Sequence, residues 1–215
     1  MNLPVERCPR CDKTPAVCFC AELKSHAPKR VQVLILQHPR EPHEALSTAR
    51  LAHLQLTGSI LQIGLSWPNL AKASGLSQPD PKRWGVLYLG SGLKSLPPTA
   101  PALVAVNKGG ASLGDSDQVL KSLQGIVLLD GTWSQAKTMW WRNAWLLKLR
   151  RLILLPAKPS KYGKARKEPR KECLSTIESI STTLDLLHES KDLTGALDAS
   201  FDKLLDRATP VRSRR

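Results

Sequence analysis

No stretch of this chain is long and apolar enough to suggest a membrane-spanning helix. Its apolar runs, such as Val33-Leu34-Ile35-Leu36 and Ile126-Val127-Leu128-Leu129, are strand-sized and fall well short of the roughly 18 residues a span needs. No export signal is expected either, because Pro4, Glu6 and Arg7 break the opening segment before a cysteine cluster begins at Cys8. The expectation is a cytoplasmic protein with no membrane partner and no evident obligate protein partner. Acidic residues are scarce: 18 Asp and Glu face 32 Lys and Arg, leaving a formal charge of +14. That excess exceeds what solubility requires and points to a polyanionic partner. No internal repeat is visible, and 215 residues leave little room for a second large domain. The expected organisation is a small cysteine-rich segment at 1–28, a catalytic domain at 29–209 and a loose basic tail at 210–215.

Four of the five cysteines, Cys8, Cys11, Cys18 and Cys20, lie within thirteen positions. In a reducing compartment such clustering favours metal ligation over disulfides. Four thiolates complete one tetrahedral zinc site, and the first pair has the usual knuckle spacing, whereas the second, with one intervening residue, is tighter. With four sulfur ligands the zinc has no open position for water or substrate, so the expected role is structural.

Beyond this cluster, short apolar segments alternate with amphipathic ones. Strands are expected at Val31–Gln37, Ser59–Gly64, Gly85–Leu89, Ala102–Val106, Gly125–Leu129 and Leu152–Leu155. Most lack period-two alternation, as buried parallel strands do. Helices are expected at Leu46–Leu56, Ser134–Leu149, Thr176–Glu189 and Ala196–Arg207, with Ser175 or Thr176 and Thr194 as N-caps. The fold class is therefore α/β, a mostly parallel sheet flanked by helices. Trp67–Pro81, Ser95–Pro101 and the charged stretch Pro156–Cys173 read as surface loops.

Gly125–Asp130 reads as a buried strand that delivers an acid at its carboxyl end, where ligand sites of open α/β sheets gather. An Asp there can equally be a helix cap. Trp133, Trp140 and Trp141 are expected partly against the core, although one could face a base. Lys158, Lys161, Lys164, Arg166, Lys167, Arg170 and Lys171 place seven cations in fourteen residues, opposed there by Glu168 alone. With Tyr162 they form an expected phosphate-tracking, RNA-binding segment.

Asp130-Gly131-Thr132-Trp133 matches the Asp-x-Thr-Trp signature of the DTW-domain family of tRNA-uridine aminocarboxypropyltransferases, which this chain resembles. The likeness extends to the cysteine cluster, to Gln37-His38-Pro39-Arg40-Glu41 followed by Ser47-Thr48-Ala49-Arg50, and to Arg166-Lys167-Glu168-Pro169 followed by Leu174-Ser175-Thr176-Ile177-Glu178. Ser47 stands where the family more often has Asn. The resemblance implies a SPOUT-like fold with a knotted carboxyl-terminal half, S-adenosylmethionine as co-substrate, tRNA as partner and N3 of a uridine as acceptor. The expected catalytic set is Asp130, Thr132, Trp133 and His38. Asp130 is the candidate for accepting or orienting the N3 proton, and His38 is the competing base. For the cofactor, Leu89-Gly90-Ser91-Gly92 offers one wall, its glycines permitting close approach. Leu174, Ser175, Thr176 and Glu178 offer donors and an acceptor at a helix start.

Composition and spacing alone leave three readings open: an aminocarboxypropyltransferase, a tRNA methyltransferase using the same co-substrate, and a non-catalytic zinc-containing RNA-binding module. The resemblance favours the first.

Overall fold

The computed structural model describes residues 6–87, 96–97, 99–163 and 174–212. Six strands, β1 (Gln32–Gln37), β2 (Ile60–Ile63), β3 (Trp84–Leu87), β4 (Leu103–Val106), β5 (Gly125–Asp130) and β6 (Arg150–Leu154), form one sheet in the order β2-β1-β5-β3-β6-β4. Every pairing is parallel except that of β4 with β6. All six expected strands are present with bounds within two residues of those expected, the end of the third at 88–89 lying outside the described residues. β1 and β5 lie at the centre and read as unbroken apolar runs because both their faces are covered. Val33, Ile35, Ile126 and Leu128 enter one cluster, while Leu34, Leu36 and Val127 enter another on the opposite face.

The first face carries α1 (Ala49–Gln55), α3 (Ser116–Ser122), α5 (Thr176–Leu186) and α6 (Lys191–Arg212), with α5 and α6 packed on one another. Cys11, Val17, Phe19 and Cys20 join this same cluster, so the cysteine-rich segment is packed onto the main body. The second face is covered by α2 (Leu70–Ser74), by the region after α4 (Trp133–Arg142), and by Trp84. At the entry to β1 the buried Glu189 carboxylate accepts the backbone N–H groups of Lys29, Arg30 and Val31 at 2.6, 2.9 and 3.0 Å, tying the strand to the α5–α6 turn. Among the described residues no helix is long and apolar enough to cross a membrane. The connection from β6 to α5, in the carboxyl-terminal half where a knot is expected, includes 164–173, which lie outside the described residues.

Three expectations are corrected and one further helix appears. Trp67–Pro81 is not all loop, because Asn69 caps α2 by accepting the Lys72 N–H at 2.9 Å and Gly75, at φ 71°, ends it. The seven-residue α3 is also new, being too short to show an amphipathic period. Thr194 lies inside α6 and not at its cap. The expected helix Ser134–Leu149 breaks after Arg142 and resumes as a 3₁₀ turn at Ala144–Lys148.

The break is built by Asn143, which is fully buried. Its Oδ1 accepts from the Trp67 N–H at 2.8 Å and the Trp145 indole at 3.2 Å, while Nδ2 donates to the carbonyls of Leu65 and Met139 at 3.0 and 2.7 Å. All four capacities of the amide are used. Trp141, expected partly against the core, instead lies on the outward face of α4, away from the buried Ala136 and Met139, and is 72% exposed. Replacing Asn143 by Leu strips partners from buried groups on both sides of the break. The expected loss is about 2–3 kcal/mol of unfolding free energy, read from urea denaturation with an unchanged m-value.

Candidate active site

The strand register sets Gln37, the last residue of β1, directly beside Asp130, the last residue of β5. Asp130 is 5% exposed, and a carboxylate so deeply placed requires donors. Gln37 Nε2 donates to one oxygen at 2.7 Å, and the Thr176 hydroxyl donates to the other. The same Gln37 amide nitrogen lies 3.3 Å from Ser47 Oγ. Gln37 Oε1 is buried and has no hydrogen-bond partner among the described residues. An acceptor left open beside a carboxylate suits a ligand that brings N–H groups.

Two helices begin at this edge, each with a reciprocal cap. Thr132 accepts from the Gln135 N–H at 3.4 Å while Gln135 Oε1 accepts from the Thr132 N–H at 2.6 Å, starting α4. Ser175 and Glu178 do the same for α5, with the Glu178 N–H reaching Ser175 Oγ at 3.2 Å and the Ser175 N–H reaching the Glu178 carboxylate at 2.8 Å. The site is therefore an anionic carboxylate set between the positive ends of two helices at the carboxyl ends of parallel strands.

The segment 44–48 joins this site to the cysteine cluster. Lys13, 3% exposed, donates to the carbonyls of Glu44, Ala45 and Ser47 at 3.1, 2.9 and 2.6 Å. Burial pushes its ammonium down to about 8, against the pull of Cys11, Asp12 and Asp130. The Tyr162 hydroxyl donates to the Leu46 carbonyl at 2.6 Å, and Thr48 Oγ1 accepts from the Ile177 N–H at 3.2 Å in the first turn of α5.

The four clustered cysteines converge, their sulfurs lying within 4.8 Å of one another. The Cys8–Cys20, Cys11–Cys18 and Cys18–Cys20 separations are 3.5, 3.4 and 3.7 Å. Sulfurs tetrahedrally placed about 2.3 Å from a zinc ion would stand about 3.8 Å apart, so the donor set fits a metal ion. The backbone N–H groups of Cys11 and Arg10 lower the Cys8 thiol to about 6, whereas burial raises Cys20 to about 11 and Cys11 further.

Residues 5–209, which include all but the last three described residues, match the DTW domain. The chain belongs to the DTW-domain family. Three proteins named tRNA-uridine aminocarboxypropyltransferase 2 resemble it. The Drosophila melanogaster protein is 29% identical over 189 residues, covering 87% of this chain and 68% of that protein. The Macaca fascicularis and Mus musculus proteins are 30% and 28% identical, each covering 88% of this chain and 61% of its own length. The chain thus spans about three fifths to two thirds of the curated relatives it matches. No solved structure matches it.

The DTW-domain signature can now be read letter by letter. Asp130 carries the site carboxylate, and Thr132 is the cap of α4. Trp133 is the first residue of that helix and is half-buried. Gly131 sits where a Cβ would stand 3.0 Å from Gln135 Cβ, 3.1 Å from Gln135 Oε1 and 3.3 Å from His38 Cβ. His38 follows Gln37 on β1 and donates its backbone N–H to the Asp130 carbonyl at 2.8 Å; its Nδ1 accepts from the Arg40 N–H at 3.2 Å. Burial, then Arg40, lowers the imidazole below its ordinary value, so it is neutral near pH 7.

Of the expected cofactor residues, Ser175 and Thr176 lie at the site, with the half-buried Leu174 beside them, and Leu89-Gly90-Ser91-Gly92 lie outside the described residues. Glu178 is engaged in anchoring: its carboxylate accepts from Ser160 Oγ at 2.6 Å, the Lys161 N–H at 2.8 Å, and both the N–H and hydroxyl of Ser175. Of the expected RNA-facing residues, Lys158 is exposed, and Lys161 pairs with Asp202 at 2.7 Å. Lys164, Arg166, Lys167, Arg170 and Lys171 lie outside the described residues. Tyr162 is corrected. It is 3% exposed, meets Phe201 edge-on at 4.9 Å between centroids and gives its hydroxyl to Leu46, so no face is left for a base.

Sequence reasoning gave no role to Gln37, Lys13 and Thr48. Gln37 ends an apolar run beside the strand that carries Asp130, and that position was its available signal. Lys13 and Thr48 act through partners at least 31 residues away in the chain, which no local pattern records. Gly131→Ala is expected to open the α4 capping box by displacing Gln135, at a cost of about 1–2 kcal/mol. Amide hydrogen exchange in the first turn of α4 should accelerate accordingly; unchanged protection there would count against this reading of the glycine.

Proposed function

We propose that this chain transfers the 3-amino-3-carboxypropyl group of S-adenosylmethionine to N3 of a tRNA uridine, and that Asp130 accepts or orients the proton lost from N3. The carrying observation is the buried Asp130 carboxylate, held by Gln37 and Thr176 at the carboxyl ends of β1 and β5 in a chain of the DTW-domain family. The names of the three relatives support the substrate class. When bound, S-adenosylmethionine supplies an electrophilic carbon whose bond to sulfur breaks as its bond to N3 forms, methylthioadenosine leaving as a neutral thioether and the N3 proton going to a base.

The residues present suit such a pair of substrates. Uracil presents an imide N–H, and both Asp130 and the open Gln37 Oε1 are acceptors placed side by side. Thr176 and Gln37 fix both carboxylate oxygens, so the base is aligned before substrate arrives. His38 is less suited to act as the base. With Nδ1 accepting from the Arg40 N–H, the neutral ring carries its proton on Nε2 and presents a donor. The α5 N-terminus, held by Ser175 and Thr176, offers backbone N–H groups to a carboxylate such as that of the transferred amino acid. Glu178 serves in this reading as the anchor of Ser160 and Lys161 and not as a direct ligand.

The deciding experiment is mass spectrometry of nucleosides from unmodified tRNA incubated with the protein and S-adenosylmethionine, with the by-product followed in parallel. The expected outcome is an aminocarboxypropylated uridine and methylthioadenosine. A methylated nucleoside with S-adenosylhomocysteine would replace this reading by a methyltransferase, and absence of both products across a full tRNA pool would leave an RNA-binding module. Asp130→Asn is expected to keep tRNA affinity while lowering turnover by about 10²-fold or more, the usual contribution of a positioned base. Undiminished turnover would remove Asp130 from the chemistry.

We further propose that Cys8, Cys11, Cys18 and Cys20 hold one structural zinc ion. Atomic absorption should find one zinc per chain, released by chelator and lost in Cys11→Ser. Because the thiols must deprotonate to bind, retention should weaken as pH falls.

A further inference from the structure

The most exposed large apolar side chain among the described residues is Trp141, and nothing in the proposed chemistry uses it. It belongs to an outward stripe of α4. Ser134, Lys137, Thr138 and Trp141, at spacings i, i+3, i+4 and i+7, are all exposed and therefore share one face. The stripe starts one residue after the Asp-Gly-Thr-Trp turn. It runs about 10 Å along the helix axis at 1.5 Å per residue, a length of about three stacked nucleotides. Arg142, the last residue of α4, and Lys148, in the 3₁₀ turn past the break at Asn143, are also exposed.

The charge of this segment is one-sided. From Gly131 to Lys167 the sequence holds ten cations, Lys137, Arg142, Lys148, Arg150, Arg151, Lys158, Lys161, Lys164, Arg166 and Lys167, and no Asp or Glu. Among the described residues, Lys137, Arg142 and Lys148 form no ion pair. An indole flanked by cations, with hydroxyls between, has the makings of a single-strand site: a π-face for a base and positive charge for the phosphates on either side. The apolar content, one Trp on the helix and Leu147 beyond it, is small for insertion into a lipid surface, and the absence of acids is unfavourable for a basic protein partner.

We infer that Trp141 is a stacking platform for an unpaired base of the tRNA, a few nucleotides from the uridine held at Asp130, with Lys137 and Arg142 on the adjoining phosphates. This rests on the proposal that tRNA is the substrate. It adds the outer face of α4 to the expected RNA contacts.

Fluorescence anisotropy of labelled, unmodified tRNA against the full chain measures the effect. Trp141→Ala should weaken binding by roughly 5- to 150-fold, and Trp141→Phe, which keeps a ring, should restore most of it. The double variant Lys137→Ala, Arg142→Ala should reduce the slope of log K against log salt by about 1.4, at about 0.7 per phosphate, whereas Trp141→Ala should leave that slope unchanged. Wild-type binding that Trp141→Ala does not weaken overturns this inference alone. So does a variant that keeps tRNA affinity and instead loses self-association or binding to anionic phosphatidylserine vesicles. Failure of the wild-type chain to bind any tRNA overturns both this inference and the substrate on which it rests.

Discussion

A carboxylate removed from water costs several kcal/mol unless hydrogen bonds replace its hydration, and Asp130 is satisfied from two directions. One donor comes from the neighbouring strand and one from a helix 46 residues further along the chain. The β1–β5 register must therefore be correct to the residue, since a slip of one would send Gln37 to the other face of the sheet. The start of α5 must be correct as well. That start is fixed by its capping box, by Thr48 and by the anchoring of Glu178 to Ser160 and Lys161. The segment that carries Thr48 is in turn held from the amino-terminal side by Lys13. One buried charge thus makes the sheet, both site helices and the cysteine-rich segment mutually dependent.

This arrangement links the cysteine cluster to the site through Lys13. Lys13 lies two residues beyond Cys11, and its ammonium reaches three carbonyls in the segment leading to Ser47 and Thr48. A lysine can be buried to this degree only where its donors are used, and a rigid metal-bound loop would hold it there at little further entropic cost. A metal ion in the cluster would stabilise the geometry around Gln37 through backbone contacts while standing apart from the reacting atoms.

The sheet was legible in the sequence because two-sided burial produces unbroken apolar runs, as in β1 and β5. The ends of those runs also pointed to Asp130. The helices were less legible. α2 and α3 are too short to display a period, and the long helix expected through Leu149 ignored Asn143, whose four hydrogen bonds to distant and local partners make a break more favourable than continuation. Tyr162 misled for a related reason. It sits among lysines in sequence, yet its ring packs against Phe201 and its hydroxyl against Leu46, neither of which lies near it in the chain. Motif letters were legible as a family signature but not as roles, since the Thr of the signature acts as a helix cap and its Gly as the gap that lets Gln135 close that cap.

The net charge of +14 says little until its distribution is considered. Many of the acids are turned inward or paired. Glu178 and Glu189 bind backbone amides, Asp130 lies in the site, and Glu22, Asp185 and Asp202 hold Lys203 with Arg207, Lys191 and Lys161. Several of these pairs sit on α6, where they neutralise cations on that face. No acid interrupts the sequence from the site turn through α4 and β6. In the proposed chemistry the carboxylate that acts is buried, and the two neutral donors Gln37 and Thr176 hold it in a fixed orientation toward an incoming N–H, while exposed cations such as Lys137 and Arg142 are left to meet the phosphates.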